Sequence, residues 1–305
     1  MNIGYCCLSE GINLGIKRKE DKIRVNRAIQ KSTFEKEGLP CVSELAISNL
    51  KDCLRILKYN LRNDILVYRL SSDMFPWFSH YKFTDLPNWN KIQSIMKEIG
   101  DFVIENKIRV GFHPGQYCVI ASQTPHVVDN SIDELNKTAE ILDYMGLPAN
   151  NYYSINIHLN TTQPTLEESA KRFCNNFMLL SDSAKKRLTV ENDDKLAQFT
   201  VQDLHKMVHS VIGIPIIADS LHHFIHPGGY SWEESFKLAL TTWGDIKPLC
   251  HHSSSRKIHE DKTTTIQTHT DFIYERFENF DIDVDVELEC KMKDVALLDY
   301  RRKFA

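Results

Sequence analysis

The chain has 305 residues, enough for two average domains or for one large α/β barrel. Its 42% hydrophobic and 26% charged residues are ordinary for a globular protein, and it has no run of about 18 apolar residues, which excludes a helical membrane span. A net charge of −4 gives no global basic signal for nucleic acid.

Met1 to Cys7 enters an apolar strand at once and leaves no room for a signal peptide. Eight cysteines occur without a CxxC pair, which reads as reduced thiols. The expected location is intracellular and reducing: cytoplasm, nucleoid or nucleus. The first strand is Asn2 to Leu8, on which Cys6 and Cys7 would point to opposite faces. A polar segment follows, from Ser9 to Val42. Between Lys17 and Lys31 it carries seven basic residues (Lys17, Arg18, Lys19, Lys22, Arg24, Arg27, Lys31) against Glu20 and Asp21. Such a run is either a solvated face or a phosphate-binding arm. Ser43 is the expected N-cap of the first helix, with Leu45, Leu50, Leu54 and Leu57 on its apolar face.

Ile65 to Leu70 is the second strand, followed by an aromatic-rich loop that ends at His80. Helix two is expected over Asn88 to Glu105, and strand three over Arg109 to His113. Pro114-Gly115 then breaks the strand and presents Gln116 and Tyr117. Helix three is expected over Ser131 to Met145, strand four over Tyr153 to Leu159, and helix four over Leu166 to Asp182. Strand five is Leu188 to Glu191, helix five Val201 to Val211, and strand six Ile214 to Asp219. Helix six follows Ser231, and strand seven ends at His251. A Ser/Thr-rich loop leads to His269 and a seventh helix, before strand eight at Asp283 to Glu289. There is no Pro/Gly-rich linker and no internal repeat. The expectation is a single domain over 1–305, an α/β fold of the (β/α)8 TIM-barrel class. An open doubly wound sheet is the alternative, but it would scatter the strand ends that a barrel gathers.

Those strand ends carry the chemistry. One apolar run ending in a histidine, as at His113, is an ordinary strand end. Here six runs end in a potential ligand: His113, His158, Glu191, Asp219, His251 and Glu289. Taken singly, each has a packing or ion-pair explanation, such as Glu289 with Lys291. Together they form a pattern that packing does not require. Asp219 and His222 add an Asp-x-x-His pair. Mixed nitrogen and oxygen donors suit Mn, Fe or Zn. Carboxylates this close would repel one another without cations between them, so several divalent ions are the simplest account, with Glu191 bridging two. His205 and His209 are four apart on a helix, but that helix lies outside the barrel, where a surface or packing role is expected.

At these residues the sequence resembles the UV-damage endonucleases. The resemblance rests on His113-Pro114-Gly115-Gln116-Tyr117, Glu191-Asn192-Asp193, Asp219-Ser220-Leu221-His222-His223 and Leu288-Glu289-Cys290-Lys291. Gly4-Tyr5, the run from Tyr68 to Pro76 and Thr242-Trp243 extend it over nearly the whole chain. It implies a barrel similar in design to endonuclease IV, acting on damaged double-stranded DNA. The implied reaction is incision immediately 5′ of cyclobutane pyrimidine dimers, 6-4 photoproducts and abasic sites, the first step of an excision repair.

The resemblance further implies that Glu191, Asp219, His251 and Glu289 hold one ion. It places a second at His113 and His158, with Glu191 bridging, and a third at His222 and His269. Up to three Mn2+ ions are expected, with Zn2+ or Mg2+ as alternatives. His80 matches a further active-site histidine, and Gln116 and Tyr117 match a pair that wedges into the duplex. Tyr5 and Lys291 would flank the lesion or the scissile phosphate. Lys17, Arg18 and Lys19 would grip phosphates, and Ser9 would reach the lesion. Two departures stand out: Leu249 where the family often has Lys, and Ser9 where it often has Asn. No membrane contact, no obligate protein partner and a monomer are expected. The competing reading is a metal-dependent sugar isomerase or epimerase on a similar barrel, which leaves the basic arm and the Gln-Tyr pair unexplained.

Overall fold

The computed structural model describes residues 1–304. Eight short strands form one parallel sheet in the order β3-β2-β1-β8-β7-β6-β5-β4. They are β1 (Asn2–Cys6), β2 (Val67–Arg69), β3 (Arg109–Gly111), β4 (Ile155–Ile157), β5 (Leu188–Glu191), β6 (Ile216–Asp219), β7 (Leu249–His252) and β8 (Asp285–Leu288). The two end strands meet just past β3. Phe112 N–H donates to Ser154 O at 2.9 Å, and Asn156 N–H donates to Phe112 O at 2.9 Å. That bridge closes the sheet into the expected barrel.

Side chains alternate across each strand, so every second residue points into the barrel. At the N-terminal end Arg109 is buried, 3.3 Å from Asp285, and donates to the carbonyls of Tyr152 and Lys247. Above it Val67, Ile217, Leu249 and Trp243 form a compact apolar cluster. Gly4 belongs to this level, because a Cβ there would lie 2.2 Å from Val67 O. One period further along the strands come Arg69, Glu191, Asp219, His251 and Glu287, all buried. An apolar floor thus separates the deep ion pair from the polar mouth.

The outer helices cover the strands with apolar faces. α1 (Lys31–Arg62) starts before Ser43 and kinks at Gly38, which takes φ 61° ahead of Pro40. Pro40 cannot donate to the preceding turn, so the chain breaks and restarts there. Ser43 is therefore not a cap; its hydroxyl, inside the helix, accepts from Asn88 N–H. α2 (Trp89–Glu105) lies where expected, whereas α3 (Pro125–Tyr144) begins earlier because Pro125 opens its first turn. The predicted fourth helix divides into α4 (Leu166–Phe177) and α5 (Asp182–Arg187), with Ser181 capping the second. α6 (Val201–Leu204) continues through a π turn at His205–His209 into α7 (Ser210–Ile212). The His205 and His209 rings stack there at 5.3 Å, and His209 Nδ1 pairs with Ile214 O at 2.9 Å.

α8 (Ser220–Ile225) follows β6 directly, and α9 (Trp232–Leu240) is capped by Ser231. The helix expected after His269 does not form. α10 (Arg256–His259) precedes it instead, and His269 pairs in an antiparallel bridge with Ser255. Thr270 N–H and Oγ1 both bond to Ser254 O, so this backbone is satisfied without a helix. α11 (Lys293–Phe304) completes the ring. Asp294 in its first turn accepts from Glu10 N–H, Gly11 N–H and Ser9 Oγ, tying the loop after β1 to the barrel.

The Arg109–Asp285 pair yields the first prediction. Asp285 also holds Lys247 at 3.0 Å, but among the described residues it is the one carboxylate paired with Arg109, so Asp285→Leu leaves a buried guanidinium without its counter-charge and should lower unfolding free energy by about 3–5 kcal/mol. A urea midpoint within error of the wild type would refute the role given to it.

Candidate functional site

The strand ends converge on Glu191. Its carboxylate is 1% exposed, the last residue of β5, and faced by four imidazoles. His251 Nδ1 lies 3.0 Å from Oε2, His113 Nε2 3.3 Å and His158 Nε2 3.8 Å, while His222 Nδ1 lies 3.3 Å from Oε1. Burial pushes the Glu191 carboxyl up, but His251, His158, His113 and His222 together hold it well below the usual carboxylate range. Asn156, inward-facing on β4, donates its amide to Glu191 Oε2 and accepts from Thr189 Oγ1 at 3.1 Å.

Asp219 ends β6 and caps α8, accepting from His222 N–H at 2.8 Å on Oδ1. That cap brings the Asp-x-x-His pair onto one side of the cluster. Asn192 clasps the Asp219 backbone from both directions, at 2.8 and 3.1 Å. Asp219 Oδ2 is left buried with no partner, and so is His158 Nδ1. Unpaired buried polar atoms are costly, and here they occur beside other donors of the same kind. Two groups have ligand atoms within 4.8 Å of one another: His113, His158 and Glu191, and Glu191, Asp219 and His222. The donor set therefore fits two divalent cations sharing Glu191. Burial lowers His158 to about 4, so it offers a neutral ring. Burial also opposes a charged His222, but Asp219 and Glu191 raise it well above the usual range.

His251 and Glu289 extend the cluster toward a cation already present in the chain. Arg69 reaches Glu287 Oε2 at 2.7 Å, Glu289 Oε1 at 2.6 Å and His251 Nε2 at 2.8 Å. Burial disfavours a charged His251, while Glu191 drives it up to about 10. A protonated ring would leave the Arg69 contact without an acceptor. The geometry favours a neutral ring that accepts from Arg69 and donates from Nδ1 to Glu191. His269 stands at the edge, with Nδ1 3.7 Å from Glu289 Oε2.

A family model described as UV-endonuclease UvdE matches residues 1–305. The chain belongs to this family. A UV DNA damage endonuclease of Clostridium perfringens is 30% identical over 98% of the chain and 69% of its own length. The UV-damage endonuclease of Schizosaccharomyces pombe is 31% identical over 99% of the chain, which spans 50% of that relative. The crystal structure of SacUVDE superposes with a TM-score of 0.84 at 34% identity, covering 99% of this chain and 97% of that one. Endonuclease IV of Thermus thermophilus (TM-score 0.58, 11% identity, covering 99% and 98%) shares the fold alone. So does a D-psicose 3-epimerase of Clostridium cellulolyticum (0.53, 11%, covering 77% and 78%).

The remaining expected residues of this family divide by location. Gln116 and Tyr117 stand on the loop just past His113, and Tyr117 is 82% exposed. Lys17, Arg18 and Lys19 are exposed, and Lys17 and Lys19 line a basic cavity of about 420 Å³ with Lys22 and Arg24. Lys291 shares a cavity of about 480 Å³ with Arg69, His269 and Glu289. His80 is exposed and packs on Phe34 and Trp77, without contact to the cluster.

Two expected residues are elsewhere. Tyr5 is 0% exposed and faces outward from β1, where its hydroxyl donates to Asn60 at 2.7 Å. Gly4 takes the inward position, so alternation turns Tyr5 away from the mouth. Ser9 is 2% exposed and gives its hydroxyl to Asp294. Sequence reasoning also missed Arg69, Asn156 and Glu287. For Asn156 and Glu287 the signal was there as a period of two, each a polar residue two positions before His158 or Glu289; Arg69 ends β2, which carries no candidate ligand.

Cation binding at this centre must expel the proton that His222 holds in its absence. Affinity should therefore rise with pH, by up to about tenfold per unit for each proton released, and level off above the raised His222 value. Calorimetry of Mn2+ binding in buffers of different ionisation enthalpy counts those protons; a pH-independent affinity would contradict the assignment. Asn156→Ala should lower the affinity by about 10–100-fold while leaving every ligand in place.

Proposed function

We propose that this chain is a metal-dependent endonuclease that nicks the DNA backbone immediately 5′ of pyrimidine dimers, 6-4 photoproducts and abasic sites. The observation that carries this reading is the juxtaposition of a buried, Glu191-centred ligand cluster with an exposed Gln116-Tyr117 pair on the same loop as His113. When bound there, divalent ions would lower the pKa of a water and offset negative charge at the phosphodiester. His113, His158 and Glu191 would hold one ion, and Asp219 and His222 would hold another together with Glu191. Glu289 and His269 would complete the set on the Arg69 side, where His251 orients Glu191.

The protein's own groups do the rest. Arg69 neutralises Glu287 and Glu289, so the mouth is not a plain negative well that would repel a phosphodiester. Lys17, Lys19, Lys22 and Arg24 form a basic wall that grips backbone phosphates, which makes binding salt-dependent. Tyr117 and Gln116 enter the stack and fill the space left when a damaged step is drawn out of the duplex. Lys291, on the rim beside Glu289, faces the incised strand. A sugar isomerase would need neither the basic wall nor an exposed aromatic wedge.

The direct test is incision of a UV-irradiated, end-labelled duplex with and without added Mn2+, with nicks expected 5′ of dimers and only when the ion is supplied. Glu191→Gln should abolish nicking while damaged-duplex binding is largely retained, because binding rests on phosphates and the wedge; near-normal nicking would sink the assignment. The double variant Gln116→Ala, Tyr117→Ala should lose discrimination between damaged and undamaged duplex, worth about 1–3 kcal/mol per stacked base. Its bound metal should be unchanged. A loss of metal would mean that the pair instead supports His113.

A further inference from the structure

β8 and the residue after it turn three carboxylates into the barrel, and two of them have a place already. Asp285 pairs with Arg109 below the apolar floor, and Glu289 stands at the rim beside His269. Glu287 lies between them, 3% exposed, in register with His251 on β7. It belongs to neither group of converging ligand atoms around Glu191. A buried carboxylate is tolerated only when paired, and Glu287 Oε2 accepts from Arg69 Nε at 2.7 Å. β1 runs between their two strands and carries Gly4 level with Glu287, so no side chain stands between them there.

Arg69 serves two sides. Its Nε is held by Glu287, while Nη2 reaches Glu289 Oε1 at 2.6 Å and His251 Nε2 at 2.8 Å. Among the described residues, Glu287 and Glu289 are the only carboxylates paired with it. These two differ in what else they meet. Glu289 keeps 14% of its side chain exposed and faces His269, so it can pass to an ion in the mouth. Glu287 is sealed in, and its polar contacts are Arg69 and His251. An arginine keeps its charge at neutral pH. Once Glu289 turned to an ion, an Arg69 without a second counter-charge would be an uncompensated cation beside a divalent one, and would repel it. Glu287, bonded to a different nitrogen, supplies that counter-charge.

We propose that Glu287 is a positioning residue for metal binding. It holds Arg69 by Nε, so that Glu289 is free to pass from Arg69 to an ion while Arg69 stays neutralised and keeps its bond to His251. The role rests on the metal-dependent reading of the site, and Glu287 acts on the ion only through Arg69.

The test is a double-mutant cycle on the full chain, read by calorimetry of Mn2+ binding rather than by nicking. Glu287→Gln keeps the shape of the side chain without its charge, and should weaken Mn2+ affinity by about 10–100-fold. In an Arg69→Met background no cation is left to hold, and the same substitution should change the affinity by less than about threefold. A merely structural Glu287 predicts equal losses in both backgrounds, and equal losses overturn the proposal. So does unchanged affinity in Glu287→Gln. If either single variant does not fold, the double variant, which removes both charges, is compared with the wild type. Affinity within about threefold then supports the role, and a loss of about tenfold or more overturns it. A wild type that binds no Mn2+ would overturn the role together with the metal-dependent reading. The expected pattern of affinities in a chain that never nicks damaged duplex would refute the endonuclease reading alone.

Discussion

The structure depends on keeping one buried carboxylate charged. Glu191 has almost no contact with solvent, yet four imidazoles and an amide converge on it from strands distant in sequence. A carboxylate taken out of water is tolerated only when paired and hydrogen-bonded. His113, His158 and His251 sit at or just past strand ends, Asn156 lies within β4 and His222 in the first turn of α8, so closing the barrel and stabilising the charge are one event. The same crowding leaves Asp219 Oδ2 and His158 Nδ1 unpaired, beside a charge that divalent cations would share.

The rest of the barrel interior follows from that constraint. β8 and the residue after it turn Asp285, Glu287 and Glu289 to the inside, one per period. Two arginines answer them at different depths, Arg109 at the bottom and Arg69 at the mouth. Val67, Ile217, Leu249 and Trp243 lie between as an apolar floor. Leu249 thus occupies a packing position on the same face as His251, one period below it, and offers no ligand atom. The charge balance at the mouth is built from Arg69, imidazole and carboxylate.

Much of this was legible in the chain. Apolar runs ending in His113, His158, Glu191, Asp219, His251 and Glu289 marked both strand positions and their C-termini, because a strand's period of two and a breaker after it leave a local trace. β5 and β6 end at the residues expected. Helix starts were less legible where a proline or glycine could either break or open a helix, as at Pro40 and Pro125. The segment after His269 misled for another reason: its backbone is satisfied by Ser254 and Ser255, which are remote in the pattern that local propensity reads.

What the sequence by itself determined, then, is the barrel and the His, Asp and Glu residues that stand at or just past its strand ends, since these depend on periodicity and residue type within a few positions. Only the tertiary structure decided which side chains share a space. It turned Tyr5 outward to Asn60, because Gly4 takes the inward position, packed against Val67 of the neighbouring strand. It gave the Ser9 hydroxyl to Asp294 from the far end of the chain. It brought Arg69 between Glu287, Glu289 and His251, a contact across 218 residues that no local pattern encodes. Which atoms meet is set by closure and register of the whole sheet, and a one-residue change of face is enough to move a side chain from the site to the core.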